Sequence, residues 1–188
     1  GKSNFGVFLD STPDRWGRVL MERRESLRAE QEQRPRATMH ETDFLLGVHD
    51  ETRMGALRIK TDMDGAFLDD DPQWRTPPIT SLAELEQASW LLEQDDAPEM
   101  RQWLQILLAP GSSLGGARPK ANVRNTDGRL WIAKFPSRND QTNIGAWEAL
   151  TMELARRCHI QVAPFDVRYM NNRHAIFLTQ RFDRDSLG

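Results

Sequence analysis

The chain has 188 residues, of which 38% are hydrophobic and 28% are charged, enough apolar material for one domain or two small ones. Its formal net charge of −3 excludes a general electrostatic attraction to nucleic acid or to an anionic membrane, and leaves only local basic patches open. There is no run of about 18 apolar residues and no signal peptide, so the expected location is cytoplasmic.

Cysteine and metal chemistry are not indicated. The single cysteine, Cys158, cannot form an internal disulfide, and its place in a helical pattern predicts a small buried hydrophobe. The four histidines are scattered without ligand spacing, so we expect no metal site. Because the chain starts at Gly1 without a methionine and ends at Gly188 directly after a predicted strand, we expect a fragment or a processed chain.

The first 110 residues are predicted to be helix-rich. Residues 5–9 form an apolar run, either a strand or a buried lead-in, and Thr12 has the position of an N-cap for a helix to about Gln33. The arginines of this helix are interleaved with glutamates, which favours a solvated face over a nucleic-acid surface.

Three more helices and a hairpin follow. The helices are predicted from Thr38, where Glu41 has capping-box spacing, from Ser81, and after Pro98. A small hairpin is predicted across residues 53–68, and residues 69–78 are predicted to be a loop or a boundary.

After residue 110 the pattern changes to hairpin, helix, hairpin. Strands are predicted at residues 120–124 and 130–135, and again at 164–170 and 175–182. A helix is predicted from Thr142, with these apolar residues directed inward: Ile144, Trp147, Leu150, Leu154 and Cys158. The predicted fold is therefore α+β: a helix-rich subdomain (1–110) followed by an antiparallel sheet with one packed helix (111–188), in the order of a kinase small lobe.

A glycine-rich loop precedes the first hairpin. Gly111, Gly115 and Gly116 allow close backbone approach, and successive N–H groups in such a turn bind anions. Ala117 and Arg118 stand where a Walker phosphate loop requires Lys and Ser/Thr, which excludes that class. The protein-kinase arrangement, in which a glycine-rich hairpin covers the phosphates and a strand lysine pairs with them, fits better.

Single residues can be matched to this arrangement. Lys134 ends the strand WIAK, which is like the V-A-I-K strand of kinases, although an edge-strand lysine has the same pattern. Glu148 on the following helix is favoured over Glu153 as its partner. Lys120 and Arg118 compete as a second phosphate cation.

These stretches resemble the HipA-like serine/threonine kinases of bacterial toxin–antitoxin modules. Residues 113–120 match the family's Ser-x-x-Gly-Ala-x-x-Lys loop, residues 181–184 its R-F-D-R hinge, and residues 14–18 its acid-x-W-G-R helix start. Residues 132–136 resemble its Lys-hydrophobic-Pro strand end, and Trp147-Glu148 the start of its glutamate-bearing helix.

The resemblance implies ATP and Mg²⁺ as cofactors, phosphorylation of protein serines, and a DNA-binding, HipB-like antitoxin as partner. It implies autophosphorylation of Ser113 and pairing of Lys134 with Glu148. Without the resemblance, Ser113 can equally be an ordinary serine in a turn. The nucleotide-binding residues that it implies are Ser113, Leu114, Gly115, Gly116, Ala117, Lys120, Lys134, Gln180 and Phe182.

The family carries its catalytic Asp and its Mg²⁺ ligands C-terminal to the hinge, and no such segment is found here. We therefore expect this chain to be the N-terminal part of such a kinase and to transfer no phosphoryl group alone. Two non-catalytic alternatives stay open: a stand-alone protein that restrains a kinase or an antitoxin, and a regulator that binds a nucleotide.

Overall fold

A computed structural model describes residues 6–70, 76–93, 106–108, 111, 113–171 and 174–184. Its helices and its antiparallel sheet confirm the predicted α+β class. The α-helices in this part of the chain are α1 (Arg15–Gln31), α2 (Glu41–Leu46), α3 (Leu82–Leu92) and α4 (Ile144–Arg157). The strands are β1 (Lys120–Arg124), β2 (Leu130–Lys134), β3 (Phe165–Arg168) and β4 (Ile176–Gln180). None of the described helices is both long enough and apolar enough to cross a bilayer.

The chain divides into two compact units. The first unit comprises Gly1–Thr76 and Pro98–Ala117, and the second comprises Pro77–Ala97 and Arg118–Gly188. Helices α1 and α2 belong to the first unit, and α3, the sheet and α4 belong to the second. The domain boundary that the sequence suggests between residues 110 and 111 stays a prediction.

Two arginines organise the first unit. Arg18 of α1 donates two hydrogen bonds to the Glu41 carboxylate of α2, at 2.7 and 2.6 Å, and this contact lowers the pKa of Glu41. Arg53 is fully buried, and its guanidinium donates to the carbonyl oxygens of Leu45 and Val48 at 2.7 and 3.0 Å. The loop after α2 is thereby held by a side chain whose charge is dispersed over backbone dipoles.

The start of the chain differs from the prediction. Gly6–Ser11 is a 3₁₀ helix with Val7 exposed, so this run is neither a strand nor a buried lead-in. The N-cap of α1 is Asp14 and not Thr12, because the Thr12 hydroxyl donates instead to the Phe8 carbonyl oxygen at 2.7 Å.

The predicted capping boxes are also wrong in detail. Helix α2 begins at Glu41, with its capping box formed by His40 and Asp43 rather than by Thr38 and Glu41. Helix α3 has Ser81 at its N-cap, but the Ser81 side chain makes no capping hydrogen bond.

The remaining predictions for the helix-rich part have different outcomes. The described residues between 53 and 68 form no strand pair. The Leu68 N–H donates to the Ile59 carbonyl oxygen at 2.8 Å, and the Gly65 N–H donates to the Asp62 carbonyl oxygen at 3.2 Å, where a hairpin was predicted. The helix predicted after Pro98 lies mostly outside the described residues. Residues 106–108, which belong to that stretch and are described, are helical.

The sheet has the strand order β1-β2-β4-β3, and all neighbours are antiparallel. The turn between β1 and β2 closes with a hydrogen bond from the Gly128 N–H to the Asn125 carbonyl oxygen, and Gly128 has a φ of 83° that favours glycine. Lys134 lies opposite Lys120 on one side and opposite Phe177 on the other. Residues that lie directly opposite one another share a face, so these three side chains belong to the same face of the sheet.

Helix α4 faces the sheet with the side that contains Gly145, which overturns the predicted inward face. Gly145 is buried, and Ala149 and Met152 are half-buried on the same side of the helix. The residues predicted to face inward are all exposed: Ile144, Trp147, Leu150, Leu154 and Cys158. A helix turns its small face inward where the backbones must approach closely, because larger side chains would hold it away from the sheet.

The close approach is located at Gly145. A Cβ atom there would lie less than 3.0 Å from the carbonyl oxygen of Ala175, the residue before β4. The N-cap residue Asn143 strengthens this junction, because its side-chain oxygen accepts from the N–H groups of Ala146 and Ala175, at 3.1 and 2.9 Å.

We expect Gly145→Ala to lower the free energy of unfolding by about 1–3 kcal/mol through overpacking, even though alanine is the better helix former. Urea denaturation of the intact chain measures this difference. Gly6→Ala is the matched control, because an added Cβ at Gly6 meets nothing within 4 Å. Equal stability of the two variants would contradict the close approach.

Candidate functional site

The predicted site residues fall in both units. The loop residues 113–117 belong to the first unit, and Lys120, Lys134, Glu148, Gln180 and Phe182 belong to the second.

In the second unit, the structure brings Lys134 and Glu148 together. The Lys134 ammonium, at the end of β2, donates to a carboxylate oxygen of Glu148, in the second turn of α4. The side chains are 29% and 31% exposed, so the pair is open to a ligand from solvent. The ammonium also lies 5.5 Å from the centre of the Phe177 ring, at cation–π distance. The lysine is therefore held from two directions while its charge stays accessible.

The two competing phosphate cations have different surroundings. Lys120 is buried, opposite Lys134 in the β1–β2 register. Arg118 donates two hydrogen bonds to the Asp140 carboxylate, which also accepts from the Ser137 N–H at 2.8 Å. Because this carboxylate already neutralises Arg118, a phosphate would have to compete for it.

The chain bends at Phe182 and Asp183, shortly after β4, and we call this bend the arch. The Gln180 N–H donates to the Pro164 carbonyl oxygen, and the Arg181 N–H donates to the Leu130 carbonyl oxygen at 2.9 Å. Phe182 follows with its side chain 93% exposed. Within the described part of the chain, the Phe182 N–H and C=O make no hydrogen bond. A backbone donor and acceptor next to an aromatic ring can bind the edge of a flat heterocycle.

In the first unit, the glycine-rich loop is partly buried and partly open. Ser113 is 4% exposed and Leu114 is buried, whereas Gly115, Gly116 and Ala117 are exposed. Phosphorylation of Ser113 thus requires the loop to open first.

The loop is attached to the start of α1. The Gly116 N–H donates to the Asp14 carboxylate at 2.8 Å, and the Trp16 N–H donates to the Gly116 carbonyl oxygen at 2.9 Å. The Gly116 N–H, one of the groups that the sequence analysis predicts to bind an anion, is thus already bound to the Asp14 carboxylate of the same chain. Gly116 has a φ of 77°, where glycine is strongly favoured.

Sequence reasoning missed the roles of Asp14, Arg181 and Asp183, although it noted the motifs that contain them. The acid-x-Trp start of α1 supplies both contacts to Gly116. The R-F-D-R stretch supplies an ion pair between Arg181 and Asp183. In the first case the partner, Gly116, lies outside the motif. In the second case both partners lie inside the motif, and only their pairing was missed.

In the part of the chain that the structure describes, no three His, Cys, Asp or Glu side chains converge as a metal site would require. Ligands for Mg²⁺ are thus not assembled by these residues alone.

Comparison with known families agrees with the resemblance read from the sequence. Residues 112–187 match the family model described as HipA-like C-terminal domain, and this stretch contains the whole sheet and α4. No curated protein and no solved structure matches the chain significantly.

The bond from Gly116 to Asp14 predicts a change in local opening. In Asp14→Ala, we expect the Gly116 amide to exchange its hydrogen about tenfold faster or more, since a hydrogen bond to a charged group contributes about 1.5–3 kcal/mol. The cap of α1 should be unaffected, because the Asp14 side chain makes no capping hydrogen bond. Hydrogen exchange followed by NMR measures the rate.

Asp62→Ala is the control for this experiment, because it removes an exposed carboxylate that accepts from the Asp64 N–H at 3.0 Å in the same unit. It should leave Gly116 unchanged. An equal Gly116 rate in the Asp14 variant and in the original chain would contradict the attachment.

Proposed function

We propose that this chain is the nucleotide-binding part of a HipA-like protein serine/threonine kinase, because residues 112–187 match the family model described as HipA-like C-terminal domain. The observation that carries the proposal is the contact between Lys134 and Glu148. In protein kinases the equivalent strand lysine and helix glutamate must be paired before the α- and β-phosphates are held correctly.

We assign each residue of the second unit a role that its surroundings support. Lys134 neutralises phosphate charge, and Glu148 orients the Lys134 side chain. Lys120 is the proposed second cation, because it lies opposite Lys134 in the β1–β2 register and on the same face of the sheet. The Phe182 backbone, together with Gln180 two residues earlier, receives the adenine edge.

The loop residues Ser113, Leu114, Gly115, Gly116 and Ala117 are proposed phosphate contacts from the resemblance and from their glycine content. The exposed backbone of Gly115 and Ala117 supports this assignment. Mg²⁺ would accompany the nucleotide and neutralise its phosphates, and no residue of this chain is proposed as its ligand.

The proposal assigns binding to this chain and no catalytic residue. Transfer of a phosphoryl group forms a bond from a substrate hydroxyl oxygen to the γ-phosphorus and breaks the bond to the leaving diphosphate, which needs a residue that orients the hydroxyl. We assign that role to no residue of this chain, and we propose that residues 1–188 alone bind nucleotide without transferring phosphate. A HipB-like, DNA-binding antitoxin is the partner that the resemblance implies.

A second candidate function is a non-catalytic interaction role. The observation that favours it is the apolar face of α4, on which Trp147, Leu150 and Leu154 are exposed by 60%, 45% and 52%. Exposed apolar side chains grouped on one helix face are typical of interaction sites. This candidate requires no nucleotide, and the binding measurement below therefore separates the two.

We expect Lys134→Ala to weaken binding of ATP about 10- to 100-fold, because a charge-assisted hydrogen bond contributes about 1.5–3 kcal/mol. Isothermal titration calorimetry with ATP and excess Mg²⁺ measures the Kd. Lys60→Ala is the matched control, because Lys60 also lies over a phenylalanine ring, Phe67 at 5.1 Å, but in the first unit and outside the proposed contacts. If the original chain binds no ATP, or if the two variants bind it equally well, the nucleotide proposal is wrong.

A further inference from the structure

Arg181 is a buried cation in the second unit. Its side chain is only 1% exposed, and its guanidinium pairs with the carboxylate of Asp183 two residues later. Nε donates to Oδ1 at 2.9 Å and Nη2 donates to Oδ2 at 2.6 Å, the bidentate geometry that a planar guanidinium favours. This pair encloses Phe182, the residue between its two members.

The same guanidinium reaches across the sheet. Its Nη1 donates to the side-chain oxygen of Asn122 on β1 at 3.0 Å, and Asn122 is fully buried. Since the Arg181 N–H also donates to the Leu130 carbonyl oxygen on β2, the residues after β4 are fixed to both strands of the first hairpin. A buried charge with several hydrogen bonds in fixed directions allows little movement.

This set of contacts determines what Phe182 presents to solvent. Because Arg181 and Asp183 are joined to each other, the backbone between them forms an arch with Phe182 at its top. The Phe182 ring is exposed, and its N–H and C=O make no hydrogen bond in the described part of the chain. An N–H and a C=O held at a fixed spacing are complementary to the donor–acceptor edge of a purine, and the ring offers a surface for stacking.

We propose that Arg181 is the positioning residue that makes this site selective for the base of the nucleotide, acting through Asp183 and Asn122 on the Phe182 backbone. The inference rests on the proposed function and adds to it a determinant of base recognition. Arg181 itself touches no ligand. Its role is to hold the arch in the one shape that accepts a purine edge, so that the binding of adenosine does not include the entropy of ordering this segment.

The test compares ATP with inorganic tripolyphosphate, each with excess Mg²⁺, by calorimetry on the full chain. Tripolyphosphate carries the phosphate charges but no base. We expect the original chain to bind ATP at least tenfold more tightly than tripolyphosphate. In Arg181→Lys, which keeps the charge but loses the bidentate fork, ATP should bind about tenfold more weakly, and the Kd of tripolyphosphate should change less than twofold. Lys134→Ala should weaken both ligands alike.

The chain offers a matched control for the arginine. Arg168 on β3 pairs with Asp166, also two residues away, at 2.6 Å, but both side chains are about half exposed. Arg168→Lys should change neither Kd. Asp183→Asn is the second test variant, because it keeps the side-chain shape and removes only the charge; should Arg181→Lys fail to fold, the same loss of ATP preference is expected from it.

Each outcome has a definite meaning. If the original chain binds ATP and tripolyphosphate equally, the positioning role is overturned. It is also overturned if a folded Arg181 or Asp183 variant binds both ligands more weakly by the same factor, or binds both as the original chain does. Phosphate binding is left intact by these outcomes. A chain that binds neither ligand overturns the proposed function and this inference with it. A selective loss of ATP supports the inference, because a purely structural defect would reduce binding of both ligands.

Discussion

The candidate site depends on one ion pair between two elements, Lys134 at the end of β2 and Glu148 on α4. At roughly one-third exposure such a pair contributes little to stability, in the range of about 0–1 kcal/mol. Its importance is positional, because the carboxylate reaches the ammonium only if α4 lies close to the sheet. That distance is set by Gly145 and Asn143, three to five residues away along the helix. The chemistry of the lysine therefore follows from the packing of a residue that has no side chain.

Each unit contains a buried arginine that hydrogen-bonds to several parts of the chain. In the first unit, Arg53 is bound by carbonyl oxygens, and burial lowers its pKa, although neighbouring acids act in the opposite direction. In the second unit, Arg181 is bound by a carboxylate and an amide. The Asp183 carboxylate neutralises the charge of Arg181, so the two side chains form an ion pair.

The second unit was predictable from sequence to the extent that its signals are local. The β1–β2 hairpin follows from two short strands joined by Asn125–Gly128, and the helix between the hairpins follows from its periodicity. The inward face of that helix was predicted wrongly, because periodicity identifies an apolar side without showing whether the sheet accepts large or small residues there. Gly145 is the residue that decides this, and its partner Ala175 is distant in sequence.

The same limit applies to the site. The pairing of a strand lysine with a helix glutamate can be suggested by a motif, whereas the bond from Gly116 to Asp14 joins residues 102 positions apart, which no local pattern predicts. Helix starts were predicted wrongly for a different reason. Several polar residues near the start of α1 or α2 can serve as the cap, and competing local hydrogen bonds decide between them: the Thr12 hydroxyl donates to the Phe8 carbonyl oxygen, and His40 forms its capping box with Asp43.

The junction at Gly145 also determines how far each residue of α4 would move in a rotation about its fixed first turn. At 1.5 Å of rise per residue, Glu148 is about 4.5 Å and Arg157 about 18 Å from the fulcrum, so a swing of about 10° moves them by about 0.8 Å and 3 Å. A force on the far end of the helix is therefore delivered to the lysine's partner as a displacement about four times smaller. A small displacement at the C-terminal end of α4 would therefore leave the distance between Lys134 and Glu148 almost unchanged, and only a displacement of several ångströms at that end would alter it.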